Sequence, residues 1–156
     1  MTNPTADDVR KANMFTLGSA HAVYVEVVRK NFGRKGLEAL GEANRLHGLE
    51  LGQGGIRNGG LRKGDLGSID GFFRGGGPYF GFEIQPSKVT KDSMEMKVTG
   101  CPWIEAFKAK KAGSDICEWV CKIDEGIAQA VDPALKLTLT KCMMRGDSHC
   151  IYRFSK

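Results

Sequence analysis

A stripe of reactive side chains on one predicted helix is the feature of this sequence that most directly suggests chemistry. Cys117, Cys121 and Asp124 are spaced four and three residues apart, so they share a helix face with Ile127 and Val131. A carboxylate within an apolar stripe is costly unless it has partners, and burial then tunes its pKa. The pattern predicts either an acid–base group at Asp124 or a structural carboxylate bonded to backbone amides of a neighbouring loop.

A second candidate is Cys101, which precedes Pro102 at the start of a predicted helix. Free backbone N–H groups and the helix dipole at that position favour a thiolate, so we expect a lowered pKa and nucleophilic character. The alternative is a small buried side chain at a strand-to-helix corner. We predict Cys101, Cys121 and Asp124 as catalytic residues that face one cavity.

Polar side chains elsewhere are candidates for substrate binding. Asn44 and His47 follow the apolar stripe of a predicted helix, where a histidine is more often a core residue than a ligand. Arg57, Arg62 and Arg74 lie in a glycine-rich segment, residues 52–77, that is interpreted either as a hinged flap over a pocket or as a plain flexible connection. The predicted substrate-binding residues are Glu105, His47, Asn44, Arg57 and Arg74.

The five cysteines do not form a recognisable metal or disulfide pattern. An odd number confined to residues 101–150 is unlike a secreted disulfide scaffold. Cys117, Cys121, His149 and Cys150 have the composition of a zinc site, but no Cys-x-x-Cys pair is present, and adjacent strand residues point to opposite faces. We therefore expect neither a metal nor a cofactor.

Length and composition favour one globular domain over residues 1–156. The chain is 41% hydrophobic, has a net charge of +5 with scattered basic residues, and has no apolar run of about 18 residues. We expect no nucleic-acid or membrane partner, and a small, anionic substrate would suit the charge. The polar N-terminus lacks a secretory segment, which predicts a cytoplasmic protein. A homo-oligomer is compatible with the sequence but not indicated by it.

The periodicity predicts an α+β fold with two N-terminal helices and an antiparallel sheet of about four strands packed with helices. The helical part covers residues 6–51 and breaks at Gly33. Residues 52–77 hold eleven glycines and are predicted as a loop with a short helical piece over 66–73. In the α+β part, residues 78–156, we predict strands near 79–85, 94–98, 135–140 and 150–154, and helices over 102–111 and 114–130.

Three segments carry a family resemblance. Cys101-Pro102, the run from Ile116 to Asp124 and the ending from Gly146 to Phe154 resemble the L-2-amino-thiazoline-4-carboxylic acid hydrolase family. The hairpin Gly146-Asp147-x-x-Cys150 is similar, too, to vinyl-reductase-like small-molecule-binding domains. The first resemblance implies hydrolytic opening of a cyclic, amidine-like thiazoline to a carbamoyl-cysteine.

That resemblance implies roles for the candidate residues. Cys101 or Cys121 would attack the substrate directly, or Asp124 would activate water. The substrate carboxylate would be held by an arginine, with Arg57, Arg62, Arg74 and Arg145 as candidates. The predicted function is a hydrolase opening a C–N or C–S bond of a small heterocycle. The alternative is a non-catalytic, vinyl-reductase-like domain that binds a ligand or a metal.

Overall fold

The computed structural model describes residues 3–156 and confirms the predicted α+β class. Its helices are α1 (Ala6–Arg57), α2 (Leu66–Phe80), α3 (Ile104–Ala109), α4 (Ile116–Val120) and α5 (Lys122–Val131). Its strands are β1 (Glu83–Ile84), β2 (Lys88–Val89), β3 (Ser93–Gly100), β4 (Lys136–Lys141) and β5 (Cys150–Ser155), with a 3-10 turn at Met143–Arg145.

Helix α1 begins with a capping box and bends at Gly33. The Thr5 hydroxyl accepts a hydrogen bond from the Asp8 N–H, and the Asp8 carboxylate accepts one from the Thr5 N–H. Gly33 has φ 59° and ψ −149°, a conformation that favours glycine, so it divides α1 into two arms as predicted. No helix within residues 3–156 is both long and apolar enough to cross a membrane.

The glycine-rich segment is more helical than predicted. Helix α1 continues to Arg57, and α2 covers fifteen residues where a helical piece was expected only over 66–73, so only residues 58–65 connect the two helices. Helix α2 forms because Leu66, Ile69 and Phe73 line one face against the core, and Asp65 caps its start. The prediction of loop over residues 52–57 and 74–77 is therefore wrong, whereas the helical piece predicted over 66–73 is present in α2.

Two boundaries in the second half also differ from the prediction. Residues 79 and 80 end α2, because Gly81 with φ 88° provides a left-handed helix cap, and only Glu83–Ile84 forms the expected strand. The helix expected over 114–130 begins at Ile116 and is interrupted at Cys121, which has φ −74° and ψ 2°.

The sheet is antiparallel and has the strand order β1-β3-β5-β4. The short strand β2 pairs with β3 at Met94 and Glu95, whereas β1 pairs with β3 at Val98 and Gly100. In its register Met96 lies opposite Tyr152, and Tyr152 lies opposite Leu139. Since side chains alternate along a strand, these three share the face that packs against the helices. The sheet thereby places Tyr152 at the centre of the core.

Helix α5 is held against the second arm of α1 by close backbone contact. A Cβ added to Gly48 would collide with the Ile123 carbonyl oxygen, and one added to Gly126 would collide with the Arg45 carbonyl oxygen. Gly52 contacts the same helix. The helices therefore approach each other more closely than larger side chains allow, which fixes the position of the residues on α5.

This packing predicts that Gly48→Ala destabilises the protein by about 1–3 kcal/mol, because overpacking forces backbone shifts. Gly54→Ala is the matched control on the same arm, since its added Cβ meets only the Arg57 side chain at 3.8 Å. The control should be neutral or gain up to about 1 kcal/mol from helix propensity. Urea unfolding of both variants checks this, and equal stabilities would contradict the packing described here.

Candidate functional site

The predicted stripe of reactive residues faces the sheet at Tyr152. Cys117 lies on α4, Cys121 at the junction of α4 and α5, and Asp124 in the first turn of α5. The Cys121 Sγ and Tyr152 Oη atoms share a hydrogen bond of 3.2 Å. Burial raises the pKa of Tyr152, and Asp124 and Cys101 lie near enough to Tyr152 for ionisation of either to raise it further. We call Cys101, Cys121, Asp124 and Tyr152 the Tyr152 cluster.

Asp124 is the most unusual member of this cluster. Its residue is half-buried, yet no side chain or backbone N–H among residues 3–156 donates a hydrogen bond to its carboxyl group. Burial alone raises its pKa from 3.8 to about 7. The alternative of a structural carboxylate bonded to loop amides does not describe this side chain. A carboxyl group that titrates near neutral pH can both accept and return a proton under cellular conditions.

Cys101 lies at the corner between β3 and α3 and is half-buried. The backbone N–H groups of Trp103 and Ile104 favour its thiolate, as expected at a helix start. Burial outweighs them and raises the pKa of Cys101 to about 12. The expectation of a lowered pKa is therefore wrong, because the depth of the site has a larger effect than two N–H groups.

The other three cysteines form the wall behind Cys121. Cys117 lies near Cys121 and Cys142, and Cys142 lies near Cys150. These contacts and burial raise the pKa of Cys117 above its ordinary value. All five cysteines are free; Cys101 and Cys121 are half-buried, whereas Cys117, Cys142 and Cys150 are buried. Among residues 3–156, no group of three or more His, Cys, Asp or Glu side chains is placed to hold a metal.

The five residues predicted to bind substrate lie outside the Tyr152 cluster. The Asn44 amide donates to the Trp119 carbonyl oxygen at 3.0 Å, which joins α1 to α4. His47, Arg57 and Glu105 are exposed. Arg74 pairs with Asp70 at 2.7 Å along α2. His47 faces outward because α1 packs through Gly41, Gly48 and Gly52 rather than through the stripe that includes Leu51.

An aromatic wall that was not predicted adjoins the cluster. Trp103, two residues after Cys101, stacks on His21 with ring centroids 5.1 Å apart and contacts Phe82 at 6.1 Å. The Trp103 Nε1 atom is buried with no hydrogen-bond partner in the described chain. Such an orphaned donor is costly unless a water or a ligand accepts from it.

Tyr152 was also not predicted as a site residue. Its alternation with Cys150 and Phe154 in the sequence indicated only a strand.

A groove of about 320 Å³ lies beside the cluster between α4, the start of α5 and β4. Cys117, one of the buried cysteines near Cys121, lines this groove together with Lys122 and Arg145. Lys122 pairs with the buried carboxylate of Glu125 at 3.0 Å, and Arg145 lies 3.6 Å from Glu118. Its charges are therefore paired within the protein, whereas the unpaired groups lie in the Tyr152 cluster. We take the cluster as the candidate active site.

The unpartnered carboxyl predicts that Asp124→Asn stabilises the protein at pH 8. The pKa is higher in the folded state than in the unfolded state, so ionisation destabilises the fold progressively as the pH rises from about 4 to about 7. The gain should reach up to about 4 kcal/mol above pH 7 and vanish near pH 4. Asp132→Asn is the control, because Asp132 pairs with Lys156 at 2.8 Å and should lose stability instead. Urea unfolding across this pH range that shows no gain for Asp124→Asn would refute a buried, unpaired carboxyl.

Comparison with known proteins relates this geometry to a family and a fold. No curated protein is detectably similar in sequence to this chain. Among solved structures, it resembles a trafficking protein particle complex subunit 3 from Naegleria fowleri covalently bound to palmitic acid, with a TM-score of 0.59. The match has 15% identity and covers 93% of this chain and 95% of the other, so it shows a shared fold. The profile of the L-2-amino-thiazoline-4-carboxylic acid hydrolases matches residues 9–154, and the chain belongs to that family.

Proposed function

We propose that the chain is a hydrolase that opens a C–N or C–S bond of a small heterocycle at the Tyr152 cluster. One observation carries the proposal: the half-buried carboxyl group of Asp124 has no hydrogen-bond partner within residues 3–156 and lies near the Tyr152 phenol and the Cys101 thiol, and its burial raises its pKa to about 7. Family membership supports the reaction type, and the substrate after which the family is named contains a cyclic amidine. Strongly perturbed carboxyl groups in partly accessible sites are typical of acid–base catalysis.

In this mechanism Asp124 acts first as a base and then as an acid. Its carboxylate takes a proton from water while the water oxygen attacks the ring carbon bonded to nitrogen and sulfur. The protonated Asp124 then gives that proton to the ring sulfur as the C–S bond breaks. The products are a free thiol and a carbamoyl group, and their atoms equal those of the substrate plus one water. A pKa near 7 suits both steps.

Tyr152 and Cys121 stabilise the reacting group in this proposal. Burial and neighbouring charges raise the pKa of Tyr152 well above 10, so its phenol stays protonated. The Cys121 thiol can donate to Tyr152 Oη, which leaves the phenol O–H free to donate to charge that develops on the substrate. Cys121 is then a positioning residue that orients Tyr152.

Direct attack by Cys101 is less favourable than attack by water. Because burial raises the pKa of Cys101 to about 12, its thiol is protonated at pH 7 and is a poor nucleophile. We therefore assign Cys101 to the wall of the site, where it contacts the substrate. Its half-buried position and its closeness to Asp124 support that assignment.

A non-catalytic ligand-binding domain is the second candidate function. The raised thiol pKa values favour it, because protonated thiols line a pocket well but attack poorly. The structurally similar protein from Naegleria fowleri holds palmitic acid covalently, and that property belongs to that protein.

A cytoplasmic location, the absence of a metal and the oligomeric state remain predictions.

Turnover of 2-amino-thiazoline-4-carboxylate and of 2-amino-thiazoline, followed by thiol release, separates these functions. Asp124→Asn should lower kcat by at least about 10²-fold, because it removes the base and the acid together. The wild-type rate should rise with pH through about 7 as Asp124 ionises. Cys101→Ser should lose much less.

The control is Asp132→Asn, whose carboxylate pairs with Lys156 at the end of α5 and should keep wild-type turnover. If Asp124→Asn retains full activity with an unchanged pH profile, Asp124 is not the acid–base group. If neither compound is hydrolysed but one raises the melting temperature, the binding domain is the better description.

A further inference from the structure

We infer that Cys142 and Cys150 are the site of a reversible oxidative modification, in which a hydroperoxide joins their thiols in a disulfide across the turn between β4 and β5. Both residues lie outside the Tyr152 cluster, so the inference does not depend on the proposed hydrolase function. All five cysteines are free in the structure. The disulfide is therefore a second, oxidised state of the protein and not a permanent part of its fold.

The register of β4 and β5 places the two cysteines opposite each other. Lys141 and Ile151 form the last pair of that ladder before the turn, so the next facing positions are Cys142 and Cys150. Both side chains are buried, as expected of facing residues that share the core side of a sheet. Facing Cα atoms of antiparallel strands lie about 4.5–5.5 Å apart, and a disulfide requires about 4.4–6.8 Å. The positions thus suit a disulfide.

Hydrogen bonds within the turn fix the backbone around these thiols. The Met143 N–H, on the residue directly after Cys142, donates to the Cys150 Sγ atom at 3.3 Å. The Cys142 N–H donates to the Asp147 carboxylate at 2.7 Å, and the Cys142 carbonyl oxygen accepts from the Arg145 N–H at 2.9 Å. The sulfur of Cys150 is therefore held beside the backbone of Cys142, and the two thiols can be joined with little movement of the chain.

The two thiols also differ in the way that such a reaction needs. The neighbouring thiols of Cys117 and Cys150 hold the pKa of Cys142 below its ordinary value, and the cation of Arg145 adds to this effect. The neighbouring Cys142 and burial raise the pKa of Cys150. Since the thiolate is the form that attacks a peroxide, Cys142 is the reacting thiol and Cys150 the thiol that resolves the product.

The groove beside α4 gives a small oxidant access to this pair. Its wall of Cys117, Leu139 and Arg145 encloses about 320 Å³, and Cys117 lies near Cys142. Cys142 itself is only 1% exposed, because the 3-10 turn that follows it covers the thiol. Hydrogen peroxide is small enough to pass from the groove to Cys142 during brief openings of this turn.

The oxidation has two balanced steps. The Cys142 thiolate attacks one oxygen of hydrogen peroxide, the O–O bond breaks, and a sulfenic acid and a hydroxide ion form. The hydroxide takes up the proton that Cys142 had released and becomes water. The Cys150 sulfur then attacks the sulfenic sulfur, the S–O bond breaks, and the leaving hydroxyl takes the Cys150 proton as a second water. The two thiols lose two electrons, and the peroxide gains them.

Peptide mapping of the full-length protein after exposure to hydrogen peroxide tests the inference. Trypsin cleaves after Lys141, Arg145 and Arg153, so it puts Cys142 and Cys150 on separate peptides. After free thiols are blocked with iodoacetamide, mass spectrometry without reductant should show these two peptides joined, and dithiothreitol should separate them. The oxidised protein should melt at least about 3 °C higher than the reduced protein, because the link restricts the unfolded chain.

Cys150→Ser should lose the link and leave a sulfenic acid on Cys142 that dimedone traps, since the resolving thiol is missing. Cys101→Ser is the matched control and should keep the link, because Cys101 lies at the corner between β3 and α3. The inference is overturned if peroxide joins a different pair of cysteines. It is also overturned if Cys142 and Cys150 both still react with iodoacetamide in the denatured, peroxide-treated protein. Mapping of the wild-type protein decides the question even if Cys150→Ser folds poorly.

Discussion

The unpaired carboxyl group of Asp124 is the constraint around which the site is organised. Its ionisation in the interior lowers the stability of the fold, and no neighbouring residue within 3–156 offsets that cost. Burial also raises the pKa of the Cys101 thiol and of the Tyr152 phenol, so these two neighbours add polar contacts without adding charge. Such an unpaired group lowers the stability of the fold. A ligand that pairs with Asp124 would gain the interaction that the protein itself does not provide.

The position of Asp124 follows from close backbone packing at the neighbouring residues Ile123 and Gly126. Gly48, Gly52 and Gly126 let α1 and α5 approach closely, which sets the depth at which α5 carries Asp124. The interruption at Cys121 turns the stripe so that its thiol reaches the Tyr152 phenol on β5. The antiparallel register brings Tyr152 to the middle of the sheet. The glycines on α1 and α5 thus determine where the polar side chains of the Tyr152 cluster lie between the helices and the sheet.

These relationships explain what the sequence could and could not predict. Periodicity of two and of 3.6 residues identified β3, β4 and β5, the break at Gly33 and the stripe with Cys121 and Asp124, because these are local patterns. Tyr152 was missed as a site residue, since its partnership depends on strand register. The substrate-binding prediction for His47 assumed that leucines mark the buried face of α1. The buried face is marked by glycines, which contribute almost nothing to a hydrophobic pattern.

Direct titration of the Asp124 carboxyl carbon by ¹³C NMR tests the central claim most directly. Comparison with the Asp124→Asn spectrum assigns the signal among the other carboxyl groups. A midpoint near pH 7 is the result that a buried, unpaired carboxyl requires. A midpoint below about pH 4, the range of an exposed or ion-paired aspartate, would contradict it.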